Sequence, residues 1–120
     1  MVEILPDSGD NVLAVRGSDR LTRRDYEELL IPSLEAILRE HGKARFLFDM
    51  DADFKGWYLD AALKYAKFGF RHRDKFEKVA AVCGPKWVQW GMRLTSYLVN
   101  GEVKTFACDQ RPEALQWITS

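Results

Sequence analysis

The sequence predicts an α/β domain: a single mixed, mostly parallel sheet with an N-terminal hairpin and about four helices. Three observations predict it. Short apolar runs rich in Val, Ala and Phe alternate with longer segments of helical period, and the connections between them are brief. Strands separated by helices imply βαβ units with right-handed crossovers. The chain is 120 residues long, 47% hydrophobic, 12% aromatic and 30% charged, which is the length and composition of one packed domain spanning 1–120.

Residues 2–5 read as a short strand, followed by the turn cluster Pro6-Asp7-Ser8-Gly9-Asp10-Asn11 and a second strand over 12–15 that stops near Gly17. Together they predict the hairpin. Thr22 reads as an N-cap with Asp25 as a shortened capping box, opening a helix that runs to His41-Gly42. Tyr26, Leu30, Leu34, Ile37 and Leu38 keep its apolar period, and Pro32 predicts a kink or a break. Residues 44–49 form a buried strand and 57–71 a helix. Residues 78–83 form another buried strand, stopped by Gly84-Pro85. A helix over 86–99 ends at Asn100-Gly101, a last strand covers 103–108, and Pro112 opens a short helix over 112–118.

Lys plus Arg and Asp plus Glu both number 18, so the formal net charge is zero. The distribution is uneven: residues 1–54 carry 7 basic and 12 acidic side chains, whereas 55–86 carry 8 and 3. A pI near 6.7 argues against a nucleic-acid partner. The basic middle block suits an acidic partner or an anionic lipid surface, or else pairs with the acidic N-terminal half. The N-terminus lacks the pattern of a signal peptide, and no apolar run approaches the ~20 residues of a membrane span. The expected location is the cytoplasm, with peripheral membrane contact as an extension.

Asp49-Met50-Asp51-Ala52-Asp53 places three carboxylates at alternate positions after an apolar strand, where α/β sheets gather ligands. A calcium loop fails because Phe54 stands where the turn needs glycine. A haloacid-dehalogenase-type phosphatase fits Asp49 and Asp51 but not Asp53, and it requires a later acidic pair that this chain lacks. A solvated acidic loop facing the basic block is the favoured reading. His41 and His72 have no spaced Cys or His companion, so no zinc motif forms. Cys83 and Cys108 both close predicted strands; the thiols meet if those strands are neighbours, though buried, inert thiols are the commoner outcome. There is no Gly-rich phosphate loop. The expectation is a protein that is not an enzyme and uses no cofactor or metal.

Helices 57–71 and 86–99 carry more. In the first, Asp60, Lys64, Lys67 and Arg71 make one narrow polar stripe, and in the second Lys86, Gln89, Arg93, Ser96 and Asn100 do the same. A helix covering one sheet face needs an apolar arc of about 100° or a little more. Both exceed it. Most of the surplus goes to helix packing. The remainder predicts a pocket for an apolar ligand, a homodimer face or a membrane contact. Candidate ligand contacts are Phe54, Trp57, Tyr58, Ala61, Ala62, Tyr65 and Phe68 from the first region, with Trp87, Trp90, Met92 and Leu94 from the second. Lys64, Lys67 and Arg71 would meet a headgroup or an anionic surface.

The chain resembles the bacterial SpoIIAA-like family, of the STAS and CRAL-TRIO-related fold group, over essentially its whole length. The matching residues are Asp25-Tyr26 with Pro32, Phe54 with Gly56-Trp57, Phe70 with His72, and Phe76 leading into Val79-Ala80-Ala81-Val82. Lys86-Trp87 with Trp90, Phe106, and Glu113-Ala114 with Trp117 continue the match. The resemblance implies a mixed sheet wrapped by about four helices and no established enzyme activity. It also implies binding of non-polar ligands or membrane association, in line with the related lipid-transfer fold. The family's anti-sigma-factor antagonists carry a phosphorylatable serine in the loop after a central strand. This chain has no Ser or Thr between Ser33 and Thr95, so a phospho-serine switch in that loop has no hydroxyl to act on. The alternative reading is a STAS-type regulator meeting a protein partner through Asp49, Asp51 and Asp53.

Overall fold

A computed structural model describes residues 2–50, 53–84 and 100–120, the side chains of Trp57, Leu59 and Tyr65 excepted. The chain runs β1 (Val2–Ile4), β2 (Val12–Gly17), β3 (Arg20–Leu21), then α1 (Arg23–Asp25), a π turn (Tyr26–Leu30) and α2 (Ile31–His41). It continues with β4 (Ala44–Met50), β5 (Gly56–Trp57), α3 (Leu59–Arg71), β6 (Phe76–Val82), β7 (Glu102–Phe106), a 3-10 turn (Cys108–Gln110) and α4 (Arg111–Thr119).

Five strands form the main sheet in the order β1-β2-β4-β6-β7. β1 and β2 are the expected antiparallel hairpin, and the remaining pairs are parallel. β2, β4 and β6 are mostly apolar, with Arg16, Arg45, Asp49, Glu77 and Lys78 as the exceptions, because helices cover both of their faces. Alternation sorts those faces cleanly. Leu13, Val15, Phe46, Phe48, Val79 and Ala81 pack under Tyr26, Leu30, Leu34, Leu38 and Ala61. Val12, Ala14, Leu47, Ala80 and Val82 pack under Ala114 and Ile118 of α4. The first two helical regions therefore share one face and α4 has the other.

The capping box forms as expected: Asp25 N–H donates to Thr22 Oγ1 at 3.2 Å, and Thr22 N–H to Asp25 Oδ2 at 2.9 Å. Pro32 does not break the helix. It sits in the first turn of α2, directly after the π turn, where Ile31 N–H reaches back five residues to the Tyr26 carbonyl. The widened turn absorbs the register change next to a residue that cannot donate to its own i−4 carbonyl. Gly42, at φ 75°, closes α2 in the left-handed conformation, its N–H on the Leu38 carbonyl at 2.8 Å.

Other boundaries differ from expectation. β3 and β5 make a second, two-stranded parallel sheet, so residues 56–57 belong to a strand and α3 starts at Leu59. Lys55 N–H on the Asp19 carbonyl and Tyr58 N–H on the Leu21 carbonyl, at 2.7 and 2.9 Å, tie this chain passage to the exit of β2. The described residues contain three helical regions (23–41, 59–71 and 111–119) against an expected count of about four. The expected helix 86–99 lies outside the described residues. Cys83 and Cys108 are joined in a disulfide rather than held as buried thiols, because β6 and β7 are adjacent and deliver both residues to the same edge.

Candidate functional site

α3 uses its two sides differently. Ala61 is fully buried and Phe68, seven residues on, packs against the core. Leu63 and Phe70, also seven apart, are 55% and 54% exposed on the outer side. A period of seven on a 3.6-residue helix keeps each pair on one line. Among the described residues, part of the predicted apolar surplus is therefore bare.

Beside that apolar line, Lys64, Lys67 and Arg71 recur at i, i+3 and i+7 and share a neighbouring stripe. They face α2 across an open groove of about 600 Å³, walled by Ile31 and Glu35 from α2 and by Lys64, Lys67, Phe68, Phe70, Arg71 and His72 from α3 and its end. Lys64 Nζ lies 3.2 Å from Glu27 Oε1 in the π turn. Among the described residues, Lys67 and Arg71 have no ion-pair partner, and Glu35 is the one carboxylate facing them across the groove. The His72 ring lies 4.5 Å from that of Phe68. Burial holds its pKa below the usual imidazole value, and Lys75 and Arg71 push the same way against a smaller opposing pull from Glu35. The groove thus joins an apolar floor to a positive rim, an arrangement suited to a molecule with a greasy part and an anionic part.

The remaining candidates divide. Phe54 is buried with its ring 5.5 Å from that of Phe48, so it and Ala61 serve the core and offer a ligand no open surface. Tyr58 is 48% exposed under the Arg20 guanidinium, away from the groove lining. Ala62 is half-buried. Trp87, Trp90, Met92, Leu94 and Asp51 lie outside the described residues, as do the side chains of Trp57 and Tyr65. Sequence reasoning missed Ile31, Glu35 and His72, which reach the groove from another helix or from beyond a helix end, and it left Phe70 in the groove wall and Leu63 on the outer line of α3 off the candidates. The family match at Phe70 and His72 was the signal for those two; Ile31 and Glu35 carried none.

Of the acidic constellation, Asp49 departs from the solvated loop expected. Asp49 lies within β4, is fully buried, and receives Arg111 at 2.8 Å through both Nε and Nη2, with Arg16 at 3.4 Å. Asp53 alone of the three is seen exposed. The other end of α4 is also held by charge: Arg45 donates to the Ile118 and Ser120 carbonyls at 3.0 and 2.8 Å, and Lys78 to the Trp117 carbonyl at 2.9 Å. Cations on the last carbonyls complement the helix dipole. No cluster of three metal-ligating side chains occurs among the described residues.

Comparison with known proteins agrees with the topology. The SpoIIAA-like family model matches residues 12–119. A crystal structure of an uncharacterized protein from the DUF3478 family with a SpoIIAA-like fold, from Shewanella loihica PV-4, superposes with a TM-score of 0.75 at 28% identity, covering 98% of this chain and 92% of that one. A search of curated proteins finds no match. With the hairpin, the parallel core and the two differently covered faces in place, and a family match running from β2 to the end of α4, this chain belongs to the SpoIIAA-like family.

Proposed function

We propose that this protein is a non-enzymatic binding module for an anionic amphiphile, taken in the groove between α2 and α3 and met in solution or at a membrane surface. One observation carries the reading. Lys67 and Arg71, with no ion-pair partner among the described residues, stand beside Phe68 and Phe70, and Leu63 and Phe70 are more than half exposed. A cation near an anionic lipid surface contributes about 1 kcal/mol, so these two account for about thirtyfold in partitioning. Among the described residues no helix is long and apolar enough to cross a membrane, and the contact proposed is peripheral.

Flotation with vesicles containing anionic lipid, paired with native mass spectrometry of the purified protein, tests this. Binding to anionic but not zwitterionic vesicles, or a co-purified amphiphile, supports it. Neither outcome in the wild type removes it. A second copy of the chain is the competing occupant of the Leu63–Phe70 line, and light scattering with Leu63→Ser separates the two. The regulatory alternative through the acidic segment draws less support, since Asp49 is occupied by Arg111. A pull-down in which Asp53→Lys abolishes capture of a partner would revive it.

A further inference from the structure

We propose that the Cys83–Cys108 bond is a site of reversible thiol–disulfide exchange, opened by a dithiol reductant that attacks Cys108. The inference is independent of the groove. Cys83 follows β6 directly and Cys108 lies two residues beyond β7, and the Cys83 N–H donates to the Phe106 carbonyl at 3.0 Å. Adjacent strands thus hold the two residues in register whether or not the sulfurs are bonded. Cys83 adopts φ 64°, a left-handed conformation that a side-chain-bearing residue avoids unless something holds it there. The two sulfurs also differ in access. Cys108 opens an exposed 3-10 turn, whereas Cys83 is half-buried against Val82 and its neighbours. Exposed disulfides are the labile ones, and access governs which sulfur is attacked.

The exchange balances. A thiolate of the reductant bonds to Cys108 Sγ, the Cys83–Cys108 bond breaks, and Cys83 leaves as thiolate and takes up a proton. The reductant's second thiol then attacks its own sulfur in the mixed disulfide, releasing Cys108 as a thiol. Two electrons and two protons pass to the protein, and the reductant becomes a disulfide. The consequence lies next door. The turn Cys108–Gln110 runs without a break into α4 at Arg111, whose guanidinium grips Asp49. Opening the bond removes a covalent tether one turn before that grip, while Arg45 and Lys78 still hold the far end of the helix.

The test is hydrogen exchange by mass spectrometry on the intact chain, oxidised against dithiothreitol-reduced and alkylated, without denaturant. The expected result is two alkyl groups gained, a several-fold rise in deuterium uptake over 108–119, unchanged uptake over 31–41, and reversal on adding glutathione disulfide to reduced, unalkylated protein. Cys108→Ser should reproduce the reduced profile. Because wild-type reduction is read directly, a variant that fails to fold does not blur the answer. A bond that yields only in denaturant, unchanged uptake over 108–119, or global unfolding on reduction would each overturn the proposal.

Discussion

Asp49 ties the start of α4 to the sheet through Arg111. It is a fully buried carboxylate in β4, and two guanidinium groups that remain 42% and 37% exposed answer its charge. Breaking a buried pair costs about 3–5 kcal/mol, but partial hydration of both arginines reduces that figure here to about 2 kcal/mol. Asp49→Asn should therefore lower the unfolding free energy by about that much, read as a lower urea midpoint at unchanged slope, and Asp49→Leu combined with Arg111→Leu should recover part of it. A midpoint unmoved by Asp49→Asn would show the clamp to be idle. His72 carries a pH effect of known sign. Its folded pKa lies below the ordinary value of 6.5, so the unfolded chain takes up the proton first as pH falls. Stability should decline as pH drops through 6.5 toward the lower folded value and then level off, and His72→Gln should flatten that slope. The alternate spacing of Asp49, Asp51 and Asp53 was legible as a cluster at a strand end. Its place at the end of the strand over 44–49 was legible too, whereas its burial against Arg111, sixty-two positions away, is announced by no local pattern.

The elements most readable in the sequence were those whose own residues decide them. Thr22 with Asp25 caps a helix by local chemistry, Gly42 ends it, and the Val-Ala-Ala-Val run of β6 is apolar on both sides because both sides are covered. Elements settled by distant partners were less readable. β5 exists because Arg20 and Leu21 lie beside Gly56 and Trp57, and this pairing shortens the expected helix by two residues. Pro32 marked a disturbance correctly, and the chain carries a π turn directly before it. α4 is short, and its seat depends on strand residues at both ends. Arg45→Met removes the donor to the Ile118 and Ser120 carbonyls and should cost about 1 kcal/mol, read as a lower thermal midpoint together with faster amide exchange in residues 114–119. Exchange confined to other segments would place the anchor elsewhere.

Across the whole molecule, the charge asymmetry and the apolar surplus converge on one groove. The acidic N-terminal half does neutralise part of the basic block, through Lys55 with Asp19 and Lys64 with Glu27. Among the cations it leaves are Lys67 and Arg71, next to exposed Leu63 and Phe70. The amphipathic reading of α3 was available from its stripe of polar residues. The opposite wall was not, because Ile31 and Glu35 meet α3 only once both helices lie on the same sheet face. The most direct measurement is flotation of three proteins with anionic vesicles: wild type, Lys67→Glu with Arg71→Glu, and Leu63→Ser with Phe70→Ser. The account predicts that the wild type floats, that the charge reversal lowers its partitioning by thirtyfold or more (about 1 kcal/mol for each cation removed) and that the serine pair lowers it comparably. Wild-type protein left at the bottom of the gradient, or variants floating as well as the wild type, would contradict it.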